Sequence, residues 1–483
     1  MKPNKMRHMY IKKYILFINI LFILVAFYGC GGDYLPEKYL YKARINKQKI
    51  DIKSASNEQI DNIISEFHIV TKKWPLSKKA AEAHFEIANL YVAKKEFINA
   101  KKELENIVIN FSNNAELAAD AKFAIGQLYE IEQDDIEKAI NSYKELYDLY
   151  PLTKKGLYSP LYIAEFYKRN NDIERSNKAY EEAIKHYLRK IEEFGEIKLS
   201  AVLQNYIALT YASQGKWQKA VDNWEIIPQK YTQSLLVLPT LITLGEIYFV
   251  KLKERSKAIE KYNEVYEKYP LTRFALQSVI KLIQIYFYTD DYENTKKWCK
   301  ILIERAKGNK ELQAQGKTII ARTLEKEGKW DEAEKIYDEI MNSYSETATA
   351  LRVPIFMALH YQTEEKSDEV QRIYENALNH YEKILQDKDS SLNVKQNAFD
   401  LTNIVYAKQE NWEAIIKRMN KISESNDIDN YKRARALFVT GYIYQHKLNN
   451  NKKALEIYNK FLDLYKNHPF KKVVLEQMKE IRN

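Results

Sequence analysis

The sequence predicts an all-α protein, an α-α superhelix of about ten helical hairpins. Three observations carry that expectation. The first is a recurring trio of a small residue, an aromatic three places on, and a second small residue nine or ten places later, as in Ala88/Tyr91/Ala100, Gly126/Tyr129/Ala139, Ala208/Tyr211/Ala220, Gly245/Tyr248/Ala258 and Gly441/Tyr444/Ala454. The second is its period: the anchors Tyr91, Tyr129, Tyr167, Tyr211, Tyr248, Tyr286, Leu324, Tyr361, Tyr406 and Tyr444 are separated by 38, 38, 44, 37, 38, 38, 37, 45 and 38 residues. Self-similarity at such a period marks stacked supersecondary units rather than one enzyme core. The third is composition, with 37 Tyr against 12 Gly and 10 Pro in 483 residues, which suits helices with few breakers.

Each unit reads as two helices. In the first clear one, helix A is KAAEAHFEIANLYVAK, with Ala81, Phe85, Ala88 and Tyr91 at helical spacing. Helix B is NAKKELENIVINF, with Ala100, Leu104, Ile107, Val108 and Phe111. The links between A and B are short and polar, which forces antiparallel neighbours. Helix B often exits at an aromatic-Pro or nearby Pro, as at Tyr150-Pro151, Tyr269-Pro270 and His468-Pro469. The small residues are expected to let A approach B and the next A. The two long steps put inserts near 187–200 and 380–396, where the stack is expected to bend or break. Residues 470–483 read as an amphipathic capping helix through Val473, Val474, Leu475 and Met478.

The formal charge of +10 is concentrated at the start, where Lys2, Lys5, Arg7, Lys12 and Lys13 precede any acid. The remainder is interleaved with carboxylates and reads as a solvated helix surface. With no K/R-rich run, nucleic-acid binding is not expected. After the basic start, Tyr14–Gly29 is apolar except for Asn19. Sixteen helical residues reach about 24 Å, short of a ~30 Å hydrocarbon core, and fit a secretory signal better than a span. The stretch Val25-Ala26-Phe27-Tyr28-Gly29-Cys30 resembles a bacterial lipoprotein signal, with Phe27 and Tyr28 departing from the usual residues. That resemblance implies cleavage after residue 29, lipidation of Cys30 and, with Gly31 rather than Asp following, the outer membrane. An uncleaved anchor and a core helix are the other readings. Residues 30–57 lack clean periodicity and read as a tether before the repeats of 58–469.

The repeats resemble the tetratricopeptide repeat family. Ala208, Tyr211, Ala220 and Trp224 match that family's spacing, as do Ala321, Leu324, Ala333 and Tyr337, and Gly245, Tyr248, Ala258, Tyr262 and Pro270 match after a one-residue insertion in the A–B turn. Thr295 and Ser176 depart at the second small place, and Ala414 sits one residue early. The resemblance implies that A helices line a concave wall and that the residue after each small one faces it: Asn89, Gln127, Glu165, Leu209, Glu246, Gln284, Arg322 and Tyr442. These are the candidate partner-binding residues. Phe85, Phe123, Ile242 and Ile280 stand where chaperone-tail-binding members carry a basic residue, so carboxylate-tail capture is not expected.

No catalytic chemistry emerges. The eight histidines make no HExxH or i,i+4 pair, and GxxxxGK[ST], GxGxxG and GxSxG are missing from the sequence, so no metal, cofactor or enzymatic activity is expected. Asp134-Asp135 and Asp290-Asp291 fall in A–B turns and read as helix caps. Cys299 reads as a buried small hydrophobe. The expected function is therefore a lipid-anchored, protein-binding scaffold of the bacterial envelope, facing the periplasm, with envelope proteins or peptides as partners. The nearest resemblance is to tetratricopeptide lipoproteins of the outer membrane, such as the accessory lipoprotein of β-barrel assembly and the coordinator of the Tol-Pal system, which are shorter. Rival readings are a scaffold for exopolysaccharide export and a glycan- or nutrient-binding lipoprotein paired with a transporter.

Overall fold

Alanine and glycine at two marks per hairpin let helix backbones close on each other. Eight alanines at those marks, Ala100, Ala139, Ala208, Ala220, Ala321, Ala333, Ala358 and Ala454, have 0% exposure. The computed structural model describes residues 34–482 apart from 53, 133–135, 196 and 467, so the signal segment, Cys30 and Asp134-Asp135 lie outside the described residues. Among the described residues every regular element is helical. They form two compact units that divide after Ala258.

The first unit begins with α1 (Tyr34–Gln48) and α2 (Asn57–Lys73). Four hairpins follow: α3 (Lys78–Ala93) with α4 (Phe97–Asn110), α5 (Ala115–Ile131) with α6 (Ile136–Leu149), α7 (Lys154–Arg169) with α8 (Ile173–Phe194), and α9 (Ile197–Ser213) with α10 (Trp217–Lys230). It ends with α11 (Val237–Ile247), a π-helical turn over Tyr248–Leu252, and the start of α12 (Arg255–Lys268). That π turn takes up the one-residue insertion seen after Tyr248, as π-bulges do. The second unit holds the rest of α12 and the hairpins α13 (Arg273–Tyr288) with α14 (Tyr292–Arg305), α15 (Lys310–Lys326) with α16 (Trp330–Ser343), α17 (Ala348–Thr363) with α18 (Ser367–Gln386), α19 (Leu392–Lys408) with α20 (Trp412–Glu424), and α21 (Asn430–His446) with α22 (Asn451–Leu464). It closes with α23 (Lys471–Arg482), which buries Val474 and Met478 against Leu437 and Phe461 and leaves Val473 and Leu475 exposed. Each unit is an α-α solenoid whose helices pack on sequence neighbours.

Two expectations are corrected. Much of the segment read as a tether is α1, whose Leu40 and Ala43 are 0% and 1% exposed and pack with Ile60, Phe67 and Ile87. Its buried stripe is only Pro36, Leu40 and Ala43, too narrow to show as periodicity. Ion pairs from Arg44 to Glu82 and Glu86 and from Lys47 to Glu86 add to the docking. The two long steps, in turn, do not interrupt helices. They lengthen helix B, to 22 residues in α8 and 20 in α18 against 14 in α4, α6, α14 and α16.

Both long hairpins share one device. Pro160 in α7 and Pro354 in α17 each stand three residues after a carbonyl that a helix-B tyrosine captures. Tyr187 donates to Leu157 O at 2.9 Å and accepts from Leu161 N at 3.3 Å, so its hydroxyl is inserted into the α7 ladder. Tyr381 donates to Leu351 O in the same way. The recurrence belongs to a larger one. An offset of 194–196 residues relates Tyr91 to Tyr286, Tyr129 to Leu324, Tyr167 to Tyr361, Tyr211 to Tyr406 and Tyr248 to Tyr444. It also relates the N-caps Asn114 and Asn309, and the contacts of Glu116 with Lys154 N and of Glu311 with Thr349 N. The repeats are thus a five-hairpin block present twice.

Turns and joints are built alike. The A–B turns place one residue at positive φ: Lys95, Asn171, Gly215, Lys253, Asp290, Gly328, Glu365, Glu410 and Asn449. At four B-to-A joints a hydroxyl caps the next helix while donating to the aromatic carbonyl three residues back: Ser77 to Trp74, Thr153 to Tyr150, Thr272 to Tyr269 and Thr347 to Tyr344. Most anchor tyrosines on the A helices are only half-buried, and a cation covers the ring of several, as Arg175 does for Tyr167 at 5.1 Å and Lys453 for Tyr444 at 5.3 Å. The helix-B tyrosines Tyr143, Tyr187, Tyr337, Tyr381 and Tyr458, by contrast, are fully buried.

Candidate partner-binding surface

The eight A-helix positions separate into two groups. Asn89, Gln127, Glu246, Gln284, Arg322 and Tyr442 are exposed. Glu165 and Leu209 are half-buried and engaged within the protein: Glu165 accepts from Tyr158 Oη and Ser213 Oγ, both at 3.0 Å, and Leu209 packs on the core around Phe166. Arg322 lies over two rings at once, Phe287 at 5.5 Å and Phe356 at 5.7 Å, and so ties together α13, α15 and α17. Tyr442 leans on His446 at 4.3 Å. The exposed members present three amides, one acid, a guanidinium and an aromatic edge, groups that pair with peptide backbone or stack on side chains.

Sequence reasoning missed an apolar recess. A groove of ≈ 900 Å³ runs between α19 and α21, with α20 as its floor. Ile415 and Met419 form the floor, Phe399 and Val439 the walls, and Asp400 and Arg435 lie on the rim. Beside it, Arg418 stacks on Phe399 at 4.5 Å and donates through Nε to Asn403 Oδ1 at 3.2 Å. Its Nη2 is buried without a hydrogen-bond partner, and burial lowers the pKa of the guanidinium. A cation left so short of acceptors favours an anionic or carbonyl-rich neighbour. Nothing in the linear order brings Phe399, Arg418 and Val439 together. Only the stacking of three helices does so.

A second cavity, ≈ 390 Å³, lies among α16, α17 and α18. Met341, Leu351, Pro354 and Ile373 line its apolar side, and Asp338 and Arg372 its polar side. Burial and neighbouring Glu334 raise the pKa of Asp338, against the opposing pull of Arg372. The duplication explains the space. Met341 stands 194 residues after Tyr147, whose ring packs against His186 at 4.7 Å in the first block. The aromatic that fills the position in one block is an unbranched thioether in the other.

The remaining candidates have structural roles. Cys299 is a free thiol with 0% exposure, pushed up to about 12 by burial, so it is not poised as a nucleophile. Asp291 caps α14 by accepting from Asn294 N at 3.2 Å, and Asp290 pairs with Lys326 at 2.6 Å. His84 and Glu103 form a buried pair at 2.5 Å that joins α3 to α4. Among the described residues no group of three His, Cys, Asp or Glu is placed to hold a metal ion, and no helix is long and apolar enough to cross a membrane.

Three segments match models of the tetratricopeptide repeat, at residues 119–151, 318–346 and 435–468. The chain carries tetratricopeptide repeats. Such repeats imply a protein–protein interaction scaffold, and the matched segments coincide with α5–α6, α15–α16 and α21–α22. No curated protein matches the chain. Solved structures similar to it include a tetratricopeptide repeat protein from Parabacteroides merdae, with 12% identity, TM-score 0.28, and 66% of this chain and 98% of that one covered. Yeast Tom70 is similar at 10% identity and TM-score 0.34, over 93% of this chain and 95% of that one. The TPR domain of P58(IPK) is similar at 14% identity and TM-score 0.20, over 77% and 99%. With every score below 0.5, none of these defines how the repeats of this chain are arranged in space.

Proposed function

We propose that this tetratricopeptide protein is a non-catalytic scaffold of the bacterial envelope, held to the outer membrane by lipid on Cys30, which takes a segment of a partner protein into the groove between α19 and α21. The observation that supports this most is the groove itself: an apolar floor and a charged rim, with the under-satisfied Arg418 stacked on its wall residue Phe399. Apolar recesses with a few placed polar groups are where chains bind segments of others. The basic start, apolar stretch and Gly29-Cys30 of the sequence support export and lipidation.

Photo-crosslinking in intact cells tests the reading. A crosslinking side chain at Ile404, exposed on the groove, is expected to capture one recurring envelope protein, and the same group at Glu375 on α18 is not. Capture of a β-barrel assembly component, a polysaccharide synthase or a transporter chooses among the envelope processes. Equal capture from both positions, or none from Ile404, rejects the groove. Cys30→Ala is expected to release the protein from the membrane or leave it with its signal uncleaved.

A further inference from the structure

We infer that one edge of the first unit, the edge carrying Leu76, lies on an anionic phospholipid surface. The inference rests on the reading of Cys30 as the lipidated residue and adds an orientation to it.

Four observations converge on that edge. Leu76 sits at the tip of the joint between α2 and α3 and is 74% exposed. Exposed Lys72, Lys73 and Lys78 flank it, with no acid from residue 67 to residue 81. The start of α1 is held at the same joint: Glu37 pairs with Lys79 at 2.6 Å, Tyr39 packs on Trp74 at 5.5 Å, and Lys73 lies over Tyr39 at 5.3 Å. Tyr34 and Leu35 in the first turn of α1 are also exposed, at 68% and 47%. A leucine at a loop tip ringed by lysines, with an aromatic beside it, is the chemistry of an interfacial contact, since the side chain enters the acyl boundary while the lysines meet lipid phosphates.

The short length of chain before α1 holds this edge near the membrane once Cys30 is acylated. Only residues 31–33 separate Cys30 from Tyr34. Four peptide steps reach at most about 14 Å. The first turn of α1 is therefore kept within that distance of the acylated residue, and the joint that grips it is kept close to the membrane. The opposite edge differs. Ile98, after the α3–α4 turn, is 84% exposed, but Lys94 nearby is already paired with Asp61 and Glu96. The 16 residues of α3 hold the two edges roughly 24 Å apart. The motif recurs at the joint before α7, where Leu152 is 54% exposed beside Lys154 and Lys155.

The test is a depth measurement on the full-length lipoprotein reconstituted into vesicles of phosphatidylglycerol and phosphatidylethanolamine. Nitroxide labels are placed by Leu76→Cys in one preparation and Ile98→Cys in another, with Cys299 buried out of reach. The ratio of oxygen to nickel-chelate accessibility is expected to be at least threefold higher at position 76 than at 98. Adding Lys72→Glu, Lys73→Glu and Lys78→Glu together is expected to bring the position-76 ratio down toward the position-98 value. Mass spectrometry of the same preparations reports acylation of Cys30. If Cys30 is acylated and both labels read as aqueous, the orientation is overturned while lipidation stands. If Cys30 is unmodified, lipidation fails and the inference falls with it.

Discussion

The ring of Tyr458 lies against Gly441 so closely that a methyl group on Gly441 would come within 2.4 Å of its Cε1. Tyr458 uses that approach to donate to Gln445 at 2.9 Å, one helical turn beyond the glycine. The arrangement recurs at Gly126, where an added methyl would meet Tyr143 Cε1 at 2.4 Å and Tyr143 donates to Glu130 at 2.6 Å. Where alanine holds the place, as at Ala321, the matching hydroxyl of Tyr337 faces Glu325 without a hydrogen bond of ordinary geometry. Gly441→Ala and Gly126→Ala are therefore expected to destabilise their hairpins by about 1–3 kcal/mol through overpacking and loss of the buried hydrogen bond. Gly156→Ala is expected to cost more, because its Cβ would meet the backbone oxygen of Tyr150 at 1.9 Å. Urea denaturation checks the order, and an unchanged midpoint for all three rejects the packing described.

The inserted hydroxyl of Tyr187 gives a second expectation. Tyr187→Phe leaves Leu157 O and Leu161 N to re-form a direct bond or remain unpaired in the core. The expected loss is about 1–2 kcal/mol. Faster amide exchange at Leu161 is expected to accompany it, and a protection factor equal to the parent's would argue that the hydroxyl bridges nothing.

His186 sets a pH dependence. Burial, then Arg189 and Lys190, lower its pKa to about 4, below the ordinary imidazole value near 6.5. Between those values the unfolded chain binds a proton that the folded chain refuses. Stability from this group is thus fully present above about pH 6.5 and is lost as pH falls toward 4. The loss is on the order of 2 kcal/mol after allowing for partial exposure. His186→Asn is expected to flatten the stability profile over that window, as followed by thermal melts at fixed ionic strength.

The A–B turns offer gains. Glu410 and Glu365 hold φ of 53° and 58°, where a Cβ crowds the carbonyl. Gly215 and Gly328 occupy the same place at other turns. Glu410→Gly is expected to stabilise by up to about 1 kcal/mol, since relief of strain outweighs the extra unfolded-state entropy. A lower melting temperature would count against it.

Filling the smaller cavity tests the duplication. Met341→Tyr restores the aromatic that Tyr147 provides in the first block. It is expected to be neutral or stabilising, unlike a typical large insertion into a packed core. A loss above about 2 kcal/mol would show that the two positions are not equivalent.

The hairpins were legible because their alanines and glycines have a steric duty that leaves few substitutes, and because tyrosine repeats at one period. The α1 helix was not, since three buried residues among charged ones give no stripe. The long B helices showed only as irregular steps, yet the steps 38, 38, 44, 37 and 38, 37, 45, 38 already contained the doubled block. The groove beside Arg418 left no trace in the sequence, because its walls come from positions more than 30 residues apart that only packing unites. Glu165 was placed on an open wall by register alone. Ser213, on the next A helix, turns it inward.

Within each unit, helices rest on the next helix or the next but one. Tension applied between the ends of a unit would therefore meet no long-range clasp. Each hairpin would peel away in sequence, and force spectroscopy would record a series of small, even rips rather than one large rupture.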